Sequence, residues 1–207
     1  ILTFKRNILF MKKNYLNKNI KKNQGYSLIE ILIVFVIIGV ALAGAFALYS
    51  KNADTTNAKT MASDLQAVSS GVKSAFAQDE KQFQNVDNTT VCQLGIFTSN
   101  MVSNCDAGTV KNKYNGAVKV INGKLPTNFT IEENNVPPAV IVKTINQMGT
   151  DGVLGISVNG KCVYSSGTVG SDDAPTCDGG KPKGFSASDL AGAVGTTPGN
   201  FTISYGM

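Results

Sequence analysis

The chain has 207 residues and a mass of 21.8 kDa, enough for one domain of ordinary size plus accessory segments and too little for a multidomain enzyme. Its formal charge of +5 is uneven: residues 1–25 hold seven basic side chains and no acid, leaving twelve basic against fourteen acidic and a net −2 for the rest. A basic surface for nucleic acid is therefore not expected on the body of the protein. The absence of histidine also removes the side chain most used for acid–base chemistry near neutral pH and for binding metals.

From Ile31 to Ser50 the sequence ILIVFVIIGVALAGAFALYS carries no charge, and a helix of that length spans about 30 Å, the thickness of a bilayer core. A buried core helix is the alternative, but such helices seldom run this far without a polar stripe. The upstream positive charge, Lys5, Arg6, Lys12, Lys13, Lys18, Lys21 and Lys22, predicts a cytoplasmic N-terminus and an exported body. The order of segments is the reverse of a secretory signal, whose apolar region precedes its cleavage site. Here a hydrophilic stretch ends at Gln24-Gly25 and the apolar run follows, interrupted by Glu30. A cut after Gly25 would leave the apolar segment on the mature chain with Tyr26 at its start. A carboxylate within a membrane helix is costly, roughly 2.5 kcal/mol or more near the bilayer centre, so Glu30 needs a partner. The new amine of Tyr26, four residues earlier on the same helical face, would supply one in the same chain or in a neighbour; a Glu that snorkels to the interface is the simpler reading.

KKNQGYSLIEILIVFVIIG, residues 21–39, resembles the cleavage site and N-terminal helix of type IV prepilins. The resemblance implies that a prepilin peptidase cuts after Gly25, that Tyr26 is then N-methylated, and that Glu30 guides docking of the subunit into the growing fibre. A long leader, a residue other than Phe after the cut and a large C-terminal domain are similar to the type IVb branch. Tyr26 departs from the usual first residue, and Met11 competes with Ile1 as the start, which would shorten the leader without moving the cut.

Beyond Ser50 the pattern is amphipathic: Ala58, Met61, Ala62, Leu65, Val68, Val72 and Phe76 recur at spacings of three and four, with Lys51, Asp54, Lys59, Asp64 and Lys73 assigned to other faces. One helix is predicted from about Tyr26 to about Ala77, with Gly39 and Gly44 weakening its apolar half or permitting close packing. AVKVI, 117–121, reads as a strand before the turn Asn122-Gly123, and a second strand is expected around Phe129 and Ile131. Pro137-Pro138 opens a segment whose Ala139, Val142, Ile145 and Met148 form one helical face, although its β-branched residues leave a strand open. VLGISV and KCVYS flank Asn159-Gly160, the strongest hairpin signal. A Gly- and Asp-rich loop covers 166–184, Ser186 and Asp189 suit a capping box for a short helix, and FTISY, 201–205, alternates as a strand. The expected class is α+β: a long N-terminal helix, membrane-spanning and then amphipathic, packed on an antiparallel sheet in a C-terminal globular head. The expected divisions are a leader at 1–25, a transmembrane and polymerisation helix at 26–50, an amphipathic continuation at 51–81 and the head at 82–207.

Four cysteines, Cys92, Cys105, Cys162 and Cys177, fall in the exported part, where disulfides persist. Three pairings are possible, and loop closure favours Cys92 with Cys105 and Cys162 with Cys177; type IVb pilins similarly tie down a C-terminal region with a disulfide. No CxxC spacing supports a zinc site. No Ser/His/Asp set or phosphate-binding loop is present, so no catalytic residue is assigned and no cofactor or metal is expected. Glu132 and Glu133 would point to opposite faces of a strand and read as solvated charge. Asp172, Asp173 and Asp178 offer hard oxygen donors of the calcium type at a spacing that matches no defined loop. Asn-x-Thr sequons at Asn88, Asn128 and Asn200 carry little weight alone. The sequence thus describes a structural subunit of a type IV pilus, partnered by other pilin subunits, the prepilin peptidase and inner-membrane assembly machinery. It would lie in the inner membrane as a precursor and outside the cell as a fibre for adhesion, aggregation or conjugative contact. The alternatives are a minor pilin or secretion pseudopilin and, more remotely, a membrane-anchored periplasmic binding module.

Overall fold

The computed structural model describes residues 27–79, 82–123, 125–167 and 182–206, and the chain divides into two compact units at Ala47 and Leu48. Helix α1, Leu28–Phe76, runs through both. In the first unit the apolar sequence has no polar stripe to turn outward, and residues 27–47 are all exposed. In the second unit α1 buries Ala58, Met61, Ala62, Leu65, Val68, Val72 and Phe76, the full predicted stripe. Each large aliphatic side chain buried in this way contributes about 1.5–3 kcal/mol.

The second unit is an α+β fold around a seven-stranded antiparallel sheet: β1 (Val102–Asn104), β2 (Thr109–Lys111), β3 (Ala117–Asn122), β4 (Asn128–Val136), β5 (Val153–Val158), β6 (Lys161–Ser165) and β7 (Gly199–Gly206). Their spatial order is β1-β2-β3-β4-β7-β5-β6, so β7 lies in the interior of the sheet, between β4 and β5. The pairings Ile131–Ile203 and Ile203–Ile156 carry one apolar row across these three strands. Phe129 opposes Tyr205, and the row Phe83, Phe129, Tyr205 has centroid spacings of 4.8 and 5.4 Å. Helices α2 (Asn88–Gln93), α3 (Pro138–Met148) and α4 (Ala187–Val194) and a 3-10 turn at Gln82–Asn85 complete the described elements.

Turn chemistry fixes several junctions. Asn159 and Gly160 both have positive φ, +50° and +74°, the geometry of a two-residue hairpin turn. The Asn159 amide also donates to the last carbonyls of α4, Ala193 and Val194, at 2.9 and 3.0 Å, while its Oδ1 accepts from the Asn200 N–H. One turn residue thus anchors a helix end and a strand start. Gly116 is obligatory for a different reason: a Cβ there would lie 1.7 Å from the Asn134 carbonyl oxygen.

Three expectations are corrected. The segment after Pro137 is a helix, with Pro138 in its first turn, but its buried face is Val140, Ile141, Thr144 and Ile145; of the expected set only Ile145 is fully buried, and Ala139 is exposed. α4 starts after Ser186 without a side-chain cap. Ser186 Oγ instead pairs with Ser188 Oγ at 2.7 Å, and Asp189 is drawn to Lys183 Nζ at 3.1 Å. Finally, Asp64 and Glu133 are not solvated. Glu132 does face outward, near its cross-strand partner Lys119, but Glu133 continues the inward row of Phe129 and Ile131 and is fully buried. Asp64, beside Leu65 on α1, is buried too, and accepts from Asn100 Nδ2 at 3.0 Å.

Burial pushes the Glu133 carboxyl up to about 7; the hydrogen bond from Asn112 opposes this shift and the Asp64 charge adds to it. Because the folded chain then holds its proton more tightly than the unfolded chain, whose Glu titrates near about 4.3, stability is greatest below that value. It falls as pH rises towards 7 and levels off above. With Asp64 and Lys113 as the other charged groups facing this site, chemical denaturation in EDTA-containing buffer should lose roughly 3 kcal/mol between pH 4 and 7.5. Glu133→Gln should flatten that slope.

Candidate functional site

The residues singled out by sequence fall into an N-terminal group on α1 and a cysteine group in the second unit. At the helix start the chain reads Ser27-Leu28-Ile29-Glu30, the spacing of a capping box. The Ser27 backbone N–H donates to Glu30 Oε2 at 2.9 Å, and the Glu30 N–H donates to the Ser27 carbonyl at the same distance. Glu30 therefore satisfies an otherwise orphaned donor at the positive end of the helix, where a carboxylate is favoured. This local partner, signalled by the S-x-x-E spacing, is additional to the one expected at Tyr26. Gly25 and Tyr26 lie outside the described residues.

Glu30 is the one charged side chain from Ser27 to Ser50. Around and beyond it Leu28, Phe35, Val40, Phe46 and Tyr49 are each at least two-thirds exposed, far more apolar surface than a water-soluble chain leaves uncovered. α1 is also long and apolar enough to cross a membrane. A Cβ built at Gly39 or Gly44 meets nothing within 4 Å, so no contact among the described residues requires glycine at either position.

In the second unit Cys92, in α2, is bonded to Cys105, just past β1, with a Cα–Cα distance of 5.3 Å. The bond closes the loop that carries Ile96, Phe97, Asn100 and Met101, a segment with little regular structure of its own. Asp87 caps α2 by accepting from the Thr90 N–H at 2.7 Å. Cys162 is disulfide-bonded as well; its expected partner Cys177 lies outside the described residues, as do Asp172, Asp173 and Asp178. Of the sequon asparagines, Asn88 spends its amide on the Gly108 and Val118 carbonyls and Asn128 is buried, while Asn200 is exposed. Among the described residues no three Asp, Glu or Cys side chains cluster as a metal site.

An exposed apolar helix opened by a capping-box glutamate, followed by an amphipathic half buried in an antiparallel α+β unit, defines a pilin-like subunit. The prokaryotic N-terminal methylation motif matches residues 20–46, spanning Gly25, Tyr26 and Glu30. The family described as PilS N terminal matches residues 48–186, well over half of the chain. The chain belongs to that family and is a type IV pilin-like prepilin. No curated protein matches it.

Since no described residue packs on Gly39 or Gly44, Gly39→Ala and Gly44→Ala should each stabilise the helix by about 0.5–1 kcal/mol. Circular dichroism of the full chain in detergent micelles should show helicity retained or raised, and thermal loss of helix delayed. A fall in helicity would mean that these positions need a non-helical backbone.

Proposed function

We propose that the chain is the structural subunit of a type IVb-like pilus. In this reading the leader is removed after Gly25, Tyr26 becomes the methylated N-terminus, and the exposed apolar half of α1 holds the precursor in the inner membrane with residues from 51 onward in the periplasm. Residues 26–50 then leave the lipid and pack against the same segment of other subunits, and the second unit is displayed on a surface fibre for adhesion, aggregation or conjugative contact. The observation that carries the proposal is the lone Glu30 in an otherwise uninterrupted, fully exposed apolar helix. Such a surface is stable in lipid or under other helices and not in water, and a contact repeated head to tail without closure builds a filament. Glu30 supplies the one polar instruction for register, because its carboxylate can accept an N–H of its own chain and still meet the amine of an incoming Tyr26.

The N-terminal sequence of the cellular protein tests the cleavage: Tyr26 is expected, and Gly25→Arg should leave uncut precursor in the membrane. A different terminus would overturn the assignment of the cut. Glu30→Gln separates the two roles of the carboxylate, since it keeps an oxygen for the Ser27 N–H and loses the charge. Insertion and cleavage should persist. Fibre yield should fall at least tenfold, because a buried amine left without its anion costs several kcal/mol. Fibre at the unmodified level from Glu30→Gln would remove the charge pairing while leaving the family membership untouched.

A further inference from the structure

Asp64 and Glu133, both buried, line one cavity of about 120 Å³ in the second unit, whose polar wall is completed by Thr60, Asn100, Asn112 and Lys113 and whose apolar wall is Met61 and Met101. The hydrogen bonds around it are nearly all committed. Asn112 Nδ2 donates to Glu133 Oε2 at 2.8 Å and to the Asn134 carbonyl at 2.9 Å, while its Oδ1 accepts from the N–H groups of Tyr114 and Gly116. Asn100 Nδ2 spans both oxygens of Asp64, at 3.0 and 3.3 Å. Lys113, the one cation on the wall, donates to Asn57 Oδ1 and lies 5.8 Å over the Tyr114 ring, and neither carboxylate forms an ion pair among the described residues.

Glu133 Oε1 has no protein hydrogen-bond partner. A proton does not resolve this: ionised, Oε1 is a buried acceptor without a donor, and protonated it is a buried donor without an acceptor. A third body is required. Water fits the volume and would complete a protonated Glu133, but with both carboxylates ionised it leaves two negative charges in one site of low dielectric. A cation answers both demands. The donors on offer are oxygens, with no thiolate in the wall and no histidine in the chain, a hard set. Two carboxylates on different elements, with room for several waters, suit the irregular six-to-eight-oxygen shell of calcium better than the strict octahedron of magnesium.

We propose that this cavity is a calcium site, with Glu133 Oε1 and the Asp64 carboxylate as its charged ligands, the Thr60 hydroxyl oxygen and Asn100 amide oxygen as neutral ones, and water completing the shell. The ion would join α1, the loop closed by Cys92–Cys105, and β4. With only two charged ligands the site is weak, on the order of 10⁻⁴–10⁻³ M, the range of extracellular calcium modules.

The chain has six tyrosines and no tryptophan, so terbium bound near Tyr114 can be read by tyrosine-sensitised luminescence. With the full chain in detergent micelles, Tb³⁺ should bind saturably and be displaced by Ca²⁺ in that concentration range, with Mg²⁺ at least tenfold less effective. Calcium at ten times its dissociation constant should raise the folded-to-unfolded ratio about tenfold, seen as a higher Tm. Glu133→Gln and Asp64→Asn should each weaken displacement at least tenfold with circular dichroism unchanged. Glu132→Gln, on the outer face, and the double change Asp172→Asn with Asp173→Asn should leave it intact. Absence of saturable binding would overturn the site, as would binding that survives both Glu133→Gln and Asp64→Asn or is lost only in the Asp172/Asp173 variant. Should Glu133→Gln fail to fold, Asp64→Asn decides between these outcomes alone.

Discussion

Burial of the α1 stripe from Ala58 to Phe76 is the constraint on which the second unit depends. The sheet has an inward face of Phe129, Ile131, Ile156, Phe201 and Ile203, and an antiparallel sheet is stable in water only if one face is covered. α1 supplies Leu65, Val68 and Val72, all at zero exposure, to the same core cluster. The helix is held in turn by that burial, since nothing in its own composition, with β-branched residues and glycines at intervals, would keep 49 residues helical in water. The surface from Leu28 to Ser50 has no equivalent cover among the described residues. The same element therefore satisfies its apolar residues inside the fold along one half and requires a different apolar environment along the other, which is the physical content of a pilin-like subunit.

The position of β7 sets how the sheet can form. It pairs with β4 on one side and β5 on the other, so the two halves of the sheet meet only through it. Contacts between Phe129 and Tyr205 or between Thr130 and Ser204 join residues more than seventy positions apart, and such closures are entropically slow. The Cys92–Cys105 bond shortens one loop of the remaining search. The family match ends at residue 186, before α4 and β7. The interior strand that joins β4 to β5 is thus outside the matched segment, and the folded unit is larger than the part that marks the family.

Elements with a strong period were legible in the sequence. The seven apolar residues of α1 recur at three and four and all are buried; Asn159-Gly160 forms its hairpin; the strands expected at 117–121 and 201–205 form as parts of β3 and β7. α2, β1 and β2 were not foreseen, because they are three to six residues long and mostly polar or exposed, so they carry no period to read. Their places are set by the Asp87 cap, the disulfide and pairing with β3. The Ser186 capping box failed because Lys183, held against Ser165 by paired backbone hydrogen bonds, offers Asp189 a charged partner that outweighs a neutral N–H. Glu133 was misread through attention to residue type. Alternation from Phe129 and Ile131 places position 133 on the inner face, and the period was the better guide.

Glu30 and Glu133 show one physical device in two settings. Each carboxylate has an oxygen fixed by a single neutral N–H, from Ser27 in one case and Asn112 in the other, and neither forms an ion pair with a described residue. A neutral donor orients a carboxylate without neutralising it, so the charge remains available to a cation that the folded chain does not itself provide. At the head of an apolar helix, in the proposed fibre, the ammonium of an incoming subunit would suit that vacancy in charge, because it would arrive on a chain that also covers the exposed surface. Inside the cavity lined by Asp64, Glu133, Thr60 and Asn100, the proposed metal ion would suit it better, because a side chain from outside could not enter without opening the core. The chemistry of the unfilled charge is the same, and the surrounding packing selects the kind of cation that can answer it.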